Sequence, residues 1–217
     1  MKEKKAFYPV FTNKNNKKLV FYPVKKNANS SAKLFFAKQL GIENNFYFLE
    51  DQKPRYLITK SDYNAFKEKQ NLMQFFVNNF KFAKVDIEFK ACIIRDPLER
   101  FTSAYKNRIL FHKDKEFYEH NVNQIIEKLE SNIFENKHFI PQSYFLGDDL
   151  SYYNTVGLVS KINMFADKIN IFFENKVPFP RIQTGGKNFK VDLSNKQIEK
   201  IKQIYLNDYN LVKQWKI

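Results

Sequence analysis

Glycine is scarce, with five in 217 residues. Collagen-like repeats and flexible Gly-rich linkers are thereby excluded, and no Gly-x-x-x-x-Gly-Lys phosphate loop is present. Cysteine is scarcer still. The single Cys92 rules out an internal disulfide framework, and its place in the apolar run Ala91-Cys92-Ile93-Ile94 reads as a buried, inert thiol. Three histidines, His112, His120 and His138, with that one cysteine cannot assemble a zinc site at ligand spacing. No run approaches the roughly 18 apolar residues of a membrane span. The charged start Met1-Lys2-Glu3-Lys4-Lys5 is not followed by an apolar stretch, so no signal peptide and a cytoplasmic location are expected.

Negative charge is the minority sign. Against 23 Asp and Glu stand 37 Lys and Arg, a formal net charge of +14. Such a field attracts anions as a class: nucleic acid, anionic membrane, or phosphorylated and sulfated small molecules. Aromatic residues are plentiful, with 24 Phe, 12 Tyr and 1 Trp, enough for a substantial core. The length predicts one domain over residues 1–217, with its core from about 18 to 213.

Along the chain, Lys18-Leu19-Val20-Phe21-Tyr22-Pro23-Val24 has strand length, and a polar turn follows it. The next pattern is helical, with Leu34, Phe35 and Leu40 on one face and Gly41 as its stop. Asn45-Phe46-Tyr47-Phe48-Leu49 reads as a second strand, ending at Glu50-Asp51. A helix is predicted over 61–82. A third strand, Phe89 to Ile94, is stopped by Asp96-Pro97, which suit the N-cap and first position of a helix running to about 111. A further helix is predicted near Val122–Leu129, and a strand at Thr155–Val159 precedes an amphipathic helix ending near Phe173. A basic loop covers Pro178–Lys190, and a last helix runs from Ser194 to Lys213. Strands alternating with helices predict an α/β fold, a mostly parallel sheet flanked by helices. In such sheets ligands sit beyond the carboxyl ends of the strands.

Two turns at such ends carry chemistry. In Val24-Lys25-Lys26-Asn27-Ala28-Asn29-Ser30-Ser31, small polar residues join a strand to a helix N-terminus. That geometry cradles anions, with Lys26 as a point charge and the serines as donors. The same residues also read as a solvated lysine pair before an ordinary helix cap. In the second turn, Arg95 ends a strand and Ser103 lies about two helical turns later. An arginine there can fork onto a phosphate that the serine also reaches. Equally, Arg95 can pair with Asp96 or Glu99.

The run Arg95-Asp96-Pro97-Leu98-Glu99-Arg100-Phe101-Thr102-Ser103-Ala104-Tyr105 closely resembles the 3′-phosphate motif of carbohydrate sulfotransferases. These enzymes use 3′-phosphoadenosine 5′-phosphosulfate (PAPS). The Val24–Ser31 turn is similar to the same family's 5′-phosphosulfate loop, with Lys25 where proline is usual. His138-Phe139-Ile140-Pro141-Gln142 resembles the family's His-aromatic-x-Pro-Gln segment. Arg181-Ile182-Gln183-Thr184-Gly185-Gly186-Lys187 and the terminal helix resemble the basic loop and last helix of the heparan sulfate 2-O-sulfotransferase branch. The resemblance spans residues 18–213 and implies the P-loop-like sulfotransferase fold.

It also implies direct sulfuryl transfer from PAPS, without metal, to a hydroxyl or amine of a carbohydrate such as a polysaccharide or glycolipid glycan. Lys26 would neutralise the leaving 5′-phosphate, and Asn27, Ala28, Asn29, Ser30 and Ser31 would hold it. Arg95 and Ser103 would hold the 3′-phosphate, and Arg181, Thr184 and Lys187 would close over the nucleotide. The base is expected to be His138 or, at the end of the second strand, Glu50. Two other classes fit parts of the sequence. A nucleic-acid-binding module would account for the charge, but the aromatics fall at core positions instead of an exposed basic stripe. A P-loop kinase would account for the first turn, but the glycine-rich loop and a metal-binding strand-end aspartate are missing.

Overall fold

The computed structural model describes residues 10–41, 47–48, 54–55, 88–117, 119–131, 136–182 and 188–215. Its centre is a four-stranded sheet. Strands β1 (Val10–Thr12), β2 (Lys18–Tyr22), β5 (Phe89–Ile94) and β6 (Thr155–Leu158) lie in the order β1-β2-β5-β6. The β1–β2 pair is antiparallel, while β2–β5 and β5–β6 are parallel. The expected mostly parallel α/β sheet is therefore what forms. It starts earlier than the hydrophobic run at Lys18 suggested, because β1 adds an edge strand. Asn13 closes the β1–β2 turn: its side-chain oxygen accepts from the Asn15 and Lys17 amides at 3.0 and 2.9 Å. A turn residue that bonds its own backbone is ordinary for Asn.

Of the strand expected at 45–49, the described residues are Tyr47–Phe48, and they lie outside the main sheet. Strand β3 (Tyr47–Phe48) pairs antiparallel with β4 (Pro54–Arg55) in a separate two-stranded sheet. The helix expected over 61–82 lies outside the described residues.

Burial on both faces follows from the alternation of strand side chains. Ala91 and Ile93 join Leu19 and Phe21 on one face. Helix α1 (Asn29–Gln39) covers it with Phe35 and Phe36, and helix α5 (Ile162–Phe173) with Phe165 and Ile169. Cys92 and Ile94 point the other way, against Leu146, Leu150, Tyr153 and Leu211. Cys92 is fully buried, and burial pushes its thiol well above the ordinary range. Helix α5 comes unusually near the sheet: a Cβ on Gly157 would stand 2.8 Å from Phe165 Cβ. Leu40, expected on the buried face of α1, instead caps that helix and is exposed, since Gly41 at φ +67 turns the chain away there.

A third cluster is built by helices α2 (Pro97–Tyr105), α3 (Val122–Glu130) and α6 (Asn195–Ile204) around Phe101, Ile125, Phe139, Ile201 and Tyr205. Asp96 caps α2, accepting from the Glu99 amide at 2.9 Å, and Pro97 takes the first turn. Past Tyr105 the expected continuous helix widens into a π-helix, Lys106–Phe111. Ser194 caps α6 in a reciprocal box with Gln197. The single terminal helix of the sequence reading is broken at Tyr205, whose hydroxyl donates to the Phe139 carbonyl at 2.6 Å. Helix α7 (Leu206–Lys213) follows and packs beside the short α4 (Gln142–Leu146).

Candidate active site

Because β2 and β5 are adjacent and parallel, the loops at their carboxyl ends must lie side by side. The β2 loop is tight. Lys26 and Ala28 both take left-handed backbone angles, φ +69 and +54, where a Cβ costs roughly 1–2 kcal/mol. Ala28 is also the N-cap of α1, and no side chain caps that end. The first amides of α1 are thus presented at the loop, at the positive end of the helix dipole. Asn29 Oδ1 is buried there without a partner among the described residues.

The β5 loop is clasped to it. Arg95 donates through Nη1 to the Lys26 carbonyl at 3.2 Å and pairs through Nε with Glu99 at 3.3 Å. Arg100 is 1% exposed. It donates through Nε to the Lys25 carbonyl at 3.1 Å and through Nη2 to that of Ile140 at 2.7 Å. Gln142 joins the two loops. Its Oε1 accepts from Asn27 Nδ2 at 2.8 Å and the Arg95 amide at 3.1 Å, while its Nε2 donates to the Arg95 carbonyl at 2.8 Å. Asn27 Nδ2 also reaches the Ile93 carbonyl at 2.8 Å. Behind Gln142 stands Asp208, fully buried on α7, which accepts from the Gln142 and Ser143 amides and the Ser143 hydroxyl at 2.7–2.8 Å.

Positive charge is concentrated at this junction. Burial, then Arg95, Arg108, Arg100 and Lys25, pull the Lys26 ammonium down to about 7. Burial, then Lys137 and Arg108, lower Lys25; burial, then Lys25, lower Lys33. His138 sits in the same field. Burial and then Arg108, Lys25, Lys26 and Arg100 hold its imidazole down near 3, so it is neutral at physiological pH. The site is therefore a cluster of cations, with three lysines that burial makes costly to keep charged, next to one neutral imidazole.

The model of the sulfotransferase family matches residues 9–213 of this sequence. The chain is a sulfotransferase-family protein. No curated protein and no solved structure matches it. Family membership makes the reaction sulfuryl transfer and accounts for an α/β sheet of the P-loop-like kind. Among the described residues of this sulfotransferase, no group of three His, Cys, Asp or Glu side chains is placed to hold a metal ion, and no helix is long and apolar enough to cross a membrane.

Of the residues singled out in the sequence, the sulfotransferase fold brings Lys26, Asn27, Arg95 and His138 into one field or hydrogen-bond network. Ser103 is half-buried on α2, one turn beyond Glu99. Ser31 turns toward the C-terminal half: its hydroxyl accepts from the Ile182 amide at 3.2 Å and lies 3.5 Å from the Ile182 carbonyl. That contact ties the start of the basic loop to the first turn of α1 and leaves Arg181 exposed beside it. Glu50, Thr184 and Lys187 lie outside the described residues. Arg100, Asp208 and the roles of Gln142 and Asn136 were not recognised from sequence. For two of them a signal existed. Arg100 falls on the stripe Pro97, Arg100, Phe101, Ala104, and Asp208 between Tyr205 and Leu211, so both are charges at core positions of a helix.

Proposed function

We propose that this protein transfers the sulfuryl group of PAPS to a hydroxyl or amine of a carbohydrate acceptor, a polysaccharide or a glycolipid glycan. One observation carries the reading: the strained β2 loop and Arg95 are fastened together at the ends of adjacent parallel strands, around a lysine whose charge an anion would restore. Two anion sites held a fixed distance apart suit a nucleotide phosphorylated at both ends of its ribose. The loop amides and Lys26 would take the 5′-phosphate, and Arg95 with Ser103 the 3′-phosphate. The net charge of +14 and the cations around His138 favour an acidic saccharide.

In the transfer, the acceptor oxygen or nitrogen attacks sulfur, and the bond from sulfur to the 5′-phosphate oxygen breaks with its electron pair on that oxygen. Lys26 meets the charge that develops there, the interaction that counts most in the transition state. The acceptor proton passes to His138: the cations that, after burial, hold its imidazole near 3 are Arg108, Lys25, Lys26 and Arg100, and the donor's phosphates, by offsetting them, raise its basicity toward what a general base needs.

Calorimetry tests the donor. Adenosine 3′,5′-bisphosphate should bind about 10–100-fold more tightly than AMP, the worth of one charge-assisted contact of about 1.5–3 kcal/mol. It should also outcompete ATP and single-stranded DNA. Equal affinity for bisphosphate and AMP would overturn the reading, and tighter binding of DNA would favour the nucleic-acid alternative. Transfer of labelled sulfuryl from PAPS to a panel of polysaccharides and glycolipids then identifies the acceptor.

A further inference from the structure

We propose that Asn136 is a positioning residue that fixes the tautomer of His138, placing the proton on Nδ1 and leaving Nε2 bare to receive the acceptor's proton. The catalytic part of this proposal rests on His138 being the base; the tautomer stands on the geometry alone.

The orientation of the Asn136 amide is set from both ends. On one end, its Oδ1 accepts from the His138 backbone amide at 2.9 Å. A backbone N–H is always a donor, so the atom facing it must be the oxygen. On the other end, its Nδ2 faces Asp114 Oδ2 at 3.2 Å and Glu116 Oε1 at 2.5 Å. Two carboxylates can only accept, so that atom must be the nitrogen. The same Oδ1 lies 2.7 Å from His138 Nδ1. An amide oxygen has no proton to give, and the contact is a hydrogen bond only if Nδ1 carries the hydrogen. A neutral imidazole has one ring proton. Placing it on Nδ1 leaves the lone pair on Nε2.

The support extends one step further. Asp114 is gripped by Arg108 through a two-pronged pair at 2.6 and 2.5 Å, and its backbone amide donates to the Arg108 carbonyl at 3.0 Å. Arg108 lies within the π-helix Lys106–Phe111, a wide turn of the kind often found at functional sites. Asn136 is itself buried, 8% exposed, so this chain from Arg108 through Asp114 and Asn136 to the imidazole is held in a fixed geometry. A ring oriented by a hydrogen bond to its far nitrogen is a recurrent arrangement for histidine bases.

The test is nitrogen NMR on the full-length chain carrying 15N-labelled histidine, with His138 assigned by its absence in His138→Gln. Long-range proton–nitrogen correlations at neutral pH should show Nδ1 as the protonated nitrogen and Nε2 as the bare one. A wild-type spectrum with the proton on Nε2 overturns the proposal without any variant. In Asn136→Ala the preference should be lost. An unchanged tautomer in Asn136→Ala also overturns it. Asn136→Ala should further lower kcat for transfer from PAPS about 10–100-fold, with affinity for adenosine 3′,5′-bisphosphate within twofold of wild type. A wild-type kcat in Asn136→Ala, with His138→Ala inactive, overturns the positioning role. A His138→Ala enzyme that keeps its rate instead removes the base reading and leaves the tautomer result intact.

Discussion

Lys26 has an ordinary ammonium pKa near 10.5 when the chain is unfolded and about 7 in the folded site. Between those values the unfolded chain binds the extra proton, so this group's contribution to stability rises with pH from about 7 to 10.5. Below pH 7 the folded site carries an unwelcome charge. An anion reverses that cost, which has a direct readout. Binding of adenosine 3′,5′-bisphosphate at pH 7.5 should take up protons, seen as an enthalpy that changes between Tris and HEPES buffers, and its affinity should fall as pH rises from 7 to 9. Lys26→Met should abolish the Lys26 share of that uptake and lower turnover more than bisphosphate affinity. Buffer-independent enthalpy in the wild type would contradict the restored charge.

A neighbouring residue offers a stability test. Ala28 at φ +54 sits where glycine is at ease, so Ala28→Gly removes about 1–2 kcal/mol of backbone strain and adds about 0.5–1 kcal/mol of chain entropy. The net gain should be up to about 1.5 kcal/mol, raising Tm by up to roughly 3–6 °C; a lower Tm would mean that the loop relaxes the strain in another way. At this scale the cations and small polar residues that the structure gathers at the ends of β2 and β5 were legible, because loop chemistry is written in local runs such as Lys26-Asn27 and Arg95-Asp96-Pro97. The residues that hold them were not. Arg100 serves carbonyls 75 and 40 positions away, and Asp208 serves amides 65 and 66 positions away. No local pattern records such pairings.

Elements were read well where the physics was local. Asp96-Pro97 and Ser194 announced helix starts, and the apolar run Ala91 to Ile94 announced a strand. The edge strand β1 was missed because a three-residue strand carries too little pattern. The break at Tyr205 was missed because no Pro or Gly interrupts Ser194 to Lys213; Tyr205 is instead tied by its buried hydroxyl to the Phe139 carbonyl. The approach of β6 to α5 was equally invisible, since it depends on a missing side chain. Gly157→Ala would drive a Cβ into the Cβ and ring of Phe165, with the nearest atoms at 2.8, 2.8 and 2.9 Å. Strand and helix must separate, at a cost of about 1–3 kcal/mol. The urea midpoint should drop accordingly, and an unchanged midpoint would show that β6 and α5 separate without cost.

Across the whole molecule, the β2 and β5 loops are joined both directly and through Gln142, and Gln142 is held in turn by a carboxylate on the last helix. Asp208→Asn places an amide against three donors and leaves at least one buried N–H unsatisfied, costing about 1–3 kcal/mol for each such group. Beyond the lower Tm, affinity for adenosine 3′,5′-bisphosphate should fall even in protein that remains folded, because the clasp between Asn27 and Arg95 loosens. Wild-type affinity in folded Asp208→Asn would confine Asp208 to a stabilising role.

The position of Asp208 in the chain also sets a schedule for synthesis. Ribosomes deliver the two loops and Gln142 first, and Asp208 follows 66 residues after Gln142. At 5–20 residues per second that interval is about 3–13 s. During it, the Gln142 and Ser143 amides have no carboxylate to receive them, and the two loops lack their final brace. In the proposed function, a nascent chain that has built its sheet would still grip its nucleotide donor poorly until the last helix has emerged.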